Sequence, residues 1–235
     1  MRQVFPLRDW TKVEALTVKT YMQDRFEQWG LPQAIRFDNG KPWANPTHGV
    51  PTALALWLVG LGVKVVFGRP RRSTDNAVVE RSHGILECWV EPEKRLDLPD
   101  LQATLDDFVH IQRAIYPSCD GQSRFATYPD IDCPRQVYQR EQEASVWQLQ
   151  RVLAYVATFR FTRTVEKNGR ITHFTREYAL GRQHQAQQVT VFLDADTCEW
   201  VVENRQGEIV KRFLAEQLTY LTLSNMQMVY RMGTS

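Results

Sequence analysis

The sequence predicts an α/β domain followed by a small all-β domain, and three observations carry that prediction. From Thr11 to Trp89 helical apolar patterns alternate with short strand-like runs, in the order helix, strand, helix, strand, helix. From Pro117 to about Gln150 the composition shifts to prolines at 117, 129 and 134 with Ser, Asp and Gly around 118–123, as in a connector. Beyond it, the apolar period changes from helical to two.

In the first domain, D-W-T-K-V-E-A-L-T-V-K-T-Y-M-Q-D-R-F-E-Q-W reads as a helix with Val13, Leu16, Tyr21 and Phe26 near one face and Asp9 or Thr11 as cap. Gly30 ends it and Pro32 prevents its continuation. Ala34-Ile35-Arg36-Phe37 is a short strand that delivers Asp38 at its C-terminal tip, the edge at which ligands collect in open α/β sheets. P-T-A-L-A-L-W-L-V-G-L-G is an apolar helix closed by glycines, and Val63–Phe67 is a second strand. A basic loop, Gly68–Arg72, then leads to a helix that carries Glu80 and runs towards Trp89, with Ser73, Thr74 and Asp75 as candidate caps. A further helix starts at Leu98-Pro99-Asp100, and its stripe of Leu101, Leu105, Phe108 and Ile115 is expected to pack on the α/β core.

In the second domain Val156–Phe161 alternates, E-K-N-G-R reads as a hairpin turn, and Ile171–Tyr178 is extended. Val189, Val191 and Leu193 alternate in the next run, and D-A-D-T turns the chain. Cys198, Trp200 and Val202 share a face; Arg205-Gln206-Gly207 turns again before Ile209–Phe213. Five short strands in fewer than about 80 residues argue a small barrel or sandwich. The expected organisation is 1–118 for the α/β part with its trailing helix, 119–150 for the connector, 151–223 for the β-domain and 224–235 for a tail.

Hydrophobic residues make up 43% of the chain, enough for a core, and no apolar run approaches the roughly 20 residues that cross a bilayer. The start M-R-Q-V-F-P-L-R-D-W does not read as a signal peptide, so the expected location is cytoplasmic. Cys88, Cys119, Cys133 and Cys198 form no C-x-x-C pair, and His48, His83, His110, His173 and His184 lack zinc-site spacing. A net charge of +2 leaves any nucleic-acid argument to local patches. Lys64, Arg69, Arg71 and Arg72 form one; Arg151, Arg160, Arg163, Lys167, Arg170, Arg176 and Arg182, opposed nearby only by Glu166 and Glu177, form another.

Asp38 at a strand tip and Glu80 on a helix are hard oxygen donors of the kind that hold Mg²⁺ or Mn²⁺ for phosphodiester chemistry, which usually takes about three carboxylates. Each residue also has a plainer reading. D-N-G is a common turn, and Glu80 could be a solvated helix carboxylate beside Arg81. Asp75 reads as a helix cap.

Taken together, A-I-R-F-D-N-G and G-V-K-V-V-F-G-R-P-R-R-S-T-D-N-A-V-V-E-R-S resemble the catalytic core of retroviral-type integrases and of DDE transposases of bacterial insertion sequences. Gly30-Leu31-Pro32, Pro70, Asn76 and Val79-Glu80-Arg81 stand at the matching places. The resemblance continues through Leu101–Tyr138, and T-V-E-K-N-G-R-I and V-T-V-F-L-D look like the C-terminal β-domain of such transposases. It implies an RNase H-like core, incomplete for want of its first strands, followed by a small SH3-like barrel. It also implies that Asp38 and Glu80 are the second and third carboxylates of the D-D-E triad, catalytic and metal-binding together. Asp9 is too close to Asp38 to be the first, so the resemblance implies an N-terminally truncated chain that neither cuts nor joins DNA alone. Lys64, Arg69, Arg71, Arg72 and Arg81 would contact the phosphates of double-stranded DNA. The resemblance further implies DNA integration and transposition as the parent chemistry, Mg²⁺ or Mn²⁺ as the ion, a homo-oligomer on transposon ends and target DNA, and a bacterial, nucleoid-associated location. The alternative is a non-catalytic DNA-binding or assembly subunit of a transposition complex.

Overall fold

The structure is a computed structural model that describes residues 14–37, 39–40, 42–44, 49–68, 77–130, 133–134 and 136–228, with the backbone alone for 77–80 and 82. In chain order the elements are α1 (Ala15–Trp29), β1 (Ala34–Phe37), α2 (Ala53–Gly60), β2 (Lys64–Phe67), α3 (Ala77–Val90) and α4 (Leu98–His110). After α4 come a π-helical turn (Ile111–Ile115), α5 (Arg124–Thr127), α6 (Glu143–Val146) and α7 (Leu149–Ala157). The strands β3 (Phe161–Thr164), β4 (Arg170–His173), β5 (Arg176–Ala179), β6 (Gln188–Asp194), β7 (Glu199–Glu203) and β8 (Ile209–Leu214) follow, and α8 (Tyr220–Ser224) closes the order.

The chain forms two compact units, each assembled from separated stretches: Met1–Pro32 with Phe67–Arg140, and Gln33–Val66 with Glu141–Ser235. In the first, α1 buries Val18, Met22 and Phe26, spaced four residues apart so that they fall on one face. Leu16, expected on the inward face, is half-exposed, because the stripe that is buried starts two residues later. Phe26 meets Tyr138 edge to face at 5.7 Å. Gly30 ends α1 with φ of 73°, its N–H donating to the Phe26 carbonyl, and a Cβ there would stand 2.5 Å from the Gln136 carbonyl oxygen. Backbone conformation and close approach therefore both demand glycine.

α4 starts at Asp97, whose side chain accepts from the Asp100 N–H, with Pro99 in the first turn. It packs on α3: Val90, Leu105 and Phe108 form a buried cluster, flanked by Leu86, Leu101 and Val109. Ile115, expected in the same stripe, is exposed. The Tyr116 N–H reaches back five residues to the Ile111 carbonyl at 2.8 Å, and this wider turn carries Ile115 out of the helical register of Leu105 and Phe108.

In the second unit, the Lys64 N–H donates to the Gln33 carbonyl at 3.0 Å. β1 and β2 are thus bonded at their starts and run in the same direction, which makes β1–α2–β2 a crossover unit. α2 is apolar on all sides, and all of Ala53–Gly60 except Val59 is buried. It packs against α7 and α8. The fit is close at Gly60, where a Cβ would lie 1.9 Å from the Trp147 indole nitrogen. That indole N–H donates to the Trp57 carbonyl at 3.2 Å, and the Trp57 indole N–H donates to the buried Glu143 carboxylate at 3.0 Å.

The alternation read at 156–161 is not one strand: Val156 and Ala157 end α7, and 158–160 lead to β3. Val152, Leu153 and Val156 line the buried side of α7, so the pattern beginning at Val156 is the end of a helical stripe, and the strand starts only at Phe161. The strands form a four-stranded sheet in the order β3-β6-β7-β8 and a two-stranded sheet, β4-β5. All of these pairs are antiparallel. Hydrogen bonding among the described residues does not close them into a barrel. E-K-N-G-R does turn tightly, the Gly169 N–H donating to the Glu166 carbonyl. It is not the hairpin expected, because β3 pairs with β6 while β4 pairs with β5. The 171–178 run is itself a hairpin, reversed at Phe174 and Thr175 with φ of 45° and 74°. Positive φ at both central residues is the type I′ signature. Phe161, His173, Phe174 and Trp200 fill the space beneath, with His173 and Trp200 centred 4.4 Å apart.

Candidate nucleic-acid interface

Asp38 lies outside the described residues, directly after β1. The strand before it is anchored: Phe37 is buried and stacks on Trp43 at 4.6 Å with an angle of 10° between the rings. The chain turns beyond Asn39 so that the Gly40 carbonyl accepts from the N–H groups of Trp43 and Ala44 at 3.0 and 2.9 Å. The Thr52 hydroxyl then donates to the Trp43 carbonyl while its oxygen caps α2. Among the described residues β1 pairs with β2, across a helix.

Glu80 is the fourth residue of α3, and its side chain is outside the described set. Arg69, Arg71 and Arg72 lie outside the described residues altogether, as do the candidate caps Ser73, Thr74 and Asp75. Arg81 is exposed on α3 and Lys64 is exposed at the start of β2. β1 belongs to one compact unit and α3 to the other. Among the described residues no group of three or more His, Cys, Asp and Glu is placed to hold a metal ion. By donor chemistry Asp38 and Glu80 suit Mg²⁺ or Mn²⁺, two oxygen-bearing groups where such sites use about three. The four cysteines are free thiols.

Among the described residues three of the seven basic residues of the second patch pair with acids, two of them with acids distant in sequence. Arg160 pairs with Glu203 at 3.4 Å, Arg170 with Glu177 at 3.0 Å, and Arg176 with Glu216. Arg212 reaches both Asp194 and Glu199 through one guanidinium nitrogen, and its hydrogen bond to Asp194, with that of the Thr197 N–H second, holds the Asp194 carboxyl below the usual carboxylate range. Arg151 donates to the Gly60 carbonyl at 3.1 Å and so is tied to the end of α2. Counting neighbours along the chain finds only Glu166 and Glu177 and misses Glu203 and Glu216, which strand pairing and the turn after β8 bring in. Among the described residues Lys167 and Arg182 have no ion-pair partner.

Two features have no motif to announce them. Glu143 is a buried carboxylate that accepts from Trp57 and from the Tyr220 hydroxyl at 3.1 Å. Burial first, and the Glu143 carboxylate second, push the Tyr220 phenol up to about 12. The second is a cavity of about 410 Å³ in the first unit, lined from α1, the end of α4, the π-helical turn and α5. Its only trace in the sequence is the spacing of Arg25 and Trp29, four apart on one helix face.

No protein-family model matches the sequence.

Proposed function

We propose that this chain carries two carboxylates, Asp38 and Glu80, of a DDE-type integrase or transposase active site, at the second and third positions of its triad. What supports the reading above all is one constellation: A-I-R-F-D-N-G and N-A-V-V-E-R, with Asp38 directly after a strand and Glu80 in the first turn of a helix. The reaction is phosphoryl transfer. Water first attacks phosphorus at the element's end and frees a 3′-hydroxyl; that hydroxyl then attacks a phosphodiester of the target and displaces its 3′-oxygen. A bound Mg²⁺ or Mn²⁺ would supply activation of the attacking oxygen and stabilisation of the leaving one. Asp38 and Glu80 would hold it, and Lys64, Arg69, Arg71, Arg72 and Arg81 would seat the DNA backbone through phosphate contacts that set position rather than sequence. Assembly as a homo-oligomer on transposon ends and a nucleoid-associated location belong to the same proposal.

The test is Mn²⁺ titration of the intact chain, followed by electron paramagnetic resonance, for the wild type, Asp38→Asn and Glu80→Gln. Weak binding of one ion, lost in both variants, is expected, with no nicking or joining of duplex DNA by the chain alone. Nicking that Glu80→Gln abolishes would instead show that these residues form a site that works without further carboxylates. Salt-dependent DNA binding with no response to Mn²⁺ or to either substitution would replace the enzyme reading with that of a DNA-binding or assembly subunit.

A further inference from the structure

We propose that the cavity among α1, the end of α4, the π-helical turn and α5 is a binding site for a single unstacked nucleotide, the aromatic walls taking the base and the guanidinium groups the phosphate. The cavity measures about 410 Å³, within the range of small-molecule sites and far too small for a duplex. Arg25, Gln28 and Trp29 line it from α1, His110 and Arg113 from the end of α4 and the π-helical turn, and Phe125 from α5.

Charge and hydrogen bonding both point to an anion. Arg25 donates to the Gln28 side-chain oxygen at 2.9 Å, and Arg113 lies 4.9 Å above the Trp29 ring. Arg124, on α5, donates to the Ser118 hydroxyl. None of these three guanidinium groups has a carboxylate ion pair among the described residues. Asp106, the one carboxylate on the cavity wall, already accepts from the Gln102 amide at 3.0 Å. Burial first, and the like charge of Arg124 second, hold the Arg113 guanidinium below its ordinary pKa, the behaviour of a cation short of counter-charge. Two buried donors, the Trp29 indole N–H and the Arg25 Nε–H, have no acceptor among the described residues. A phosphate offers oxygens to such donors in the planar, forked geometry that arginine favours.

The aromatic walls select among anions. Inorganic phosphate would leave the aromatic lining, Trp29 and Phe125, unused, whereas a nucleotide brings a ring that can stack there; base–aromatic stacking contributes about 1–3 kcal/mol. Arg113 owes its place to the π-helical turn, a local irregularity that recurs at functional sites. A base held in a duplex cannot enter, so the ligand is a single-stranded or terminal nucleotide.

Calorimetric titration of the intact chain with thymidine 5′-monophosphate, thymidine, inorganic phosphate, a ten-residue oligothymidylate and a ten-base-pair duplex tests this. The monophosphate and the oligomer are expected to bind, with thymidine and phosphate at least tenfold weaker. Arg113→Gln and Arg25→Gln should each lower monophosphate affinity at least tenfold, while Arg182→Gln in the other unit leaves it unchanged. Circular dichroism verifies that the variants fold, and if Arg113→Gln does not, Arg25→Gln carries the comparison. The proposal is overturned if phosphate binds as tightly as the nucleotide, if the duplex competes as well as the oligomer, if the wild type binds nothing, or if the arginine variants bind normally. Asp38 and Glu80 take no part here, so this site and the carboxylate reading stand or fall separately.

Discussion

His173 is an imidazole enclosed by Phe161, Phe174 and Trp200, with no hydrogen-bond partner for either ring nitrogen among the described residues. Burial first, and the positive charge of Arg163 second, lower its pKa to about 2, so it stays neutral in the folded protein. In the unfolded chain it takes up a proton near its ordinary 6.5. Below that pH the unfolded state binds more protons, and stability falls as pH drops from 6.5 towards 2. Urea denaturation of the wild type and His173→Leu at pH 7, 6, 5 and 4 should show the wild type losing up to about 1.4 kcal/mol per unit relative to the variant below pH 6. Parallel curves would show that the imidazole titrates freely. Glu143 is the complementary case, a buried carboxylate satisfied by the Trp57 and Tyr220 donors. Glu143→Ala leaves both without an acceptor and should cost about 3 kcal/mol, with the Tyr220 phenol falling below about 12 but kept above its ordinary value by burial; Glu143→Gln, which keeps an acceptor, should cost far less.

Among the elements, the β4–β5 hairpin carries the clearest local conflict. Its turn places Phe174 and Thr175 at positive φ, where glycine or asparagine is usual and a β-branched residue is strained. Phe174 recovers the cost by burial, stacked on Trp200 at 4.9 Å, whereas Thr175 is only partly buried. Thr175→Gly should therefore stabilise the protein, by about 1 kcal/mol, seen as a higher thermal midpoint. A loss of stability would mean that the threonine side chain makes a contact worth more than the strain. The π-helical turn after α4 is the other departure from regular structure, and it explains in one step why Ile115 leaves the apolar stripe and why Arg113 reaches the cavity wall.

For the molecule as a whole, the distribution of charge matters more than its sum. With a net charge of only +2, phosphate binding depends on cations that lack internal partners. Arg170 and Arg176 are already paired with Glu177 and Glu216, so replacing both with glutamine should barely change the salt dependence of duplex binding. The double variant Arg71→Gln, Arg72→Gln should reduce the slope of log affinity against log salt by about 2. Fluorescence anisotropy with a labelled duplex at several salt concentrations measures both. Equal effects from the two pairs would place the DNA on the β-domain as well.

The sequence by itself determined most of the local structure and the proposed chemistry. Gly30 and Pro32 mark the end of α1, the apolar runs at 34–37, 53–60 and 63–67 mark strand, helix and strand, and Leu98-Pro99-Asp100 marks the start of α4. These features are legible because they depend on short-range sterics and hydrogen bonding, which act between residues a few positions apart. D-N-G and V-E-R are fixed local patterns too, and the resemblance they carry is what the proposed roles of Asp38 and Glu80 rest on, without saying what surrounds them. Tertiary structure alone decided the rest. It joined Gln33–Val66 to Glu141–Ser235 in one compact unit, paired β3 with β6 instead of β4, and brought Glu203 to Arg160 and Glu216 to Arg176. It also placed Arg25, Trp29 and Arg113 around one cavity. Each of these depends on residues in different segments of the chain, and no periodicity within a single segment records a partner in another.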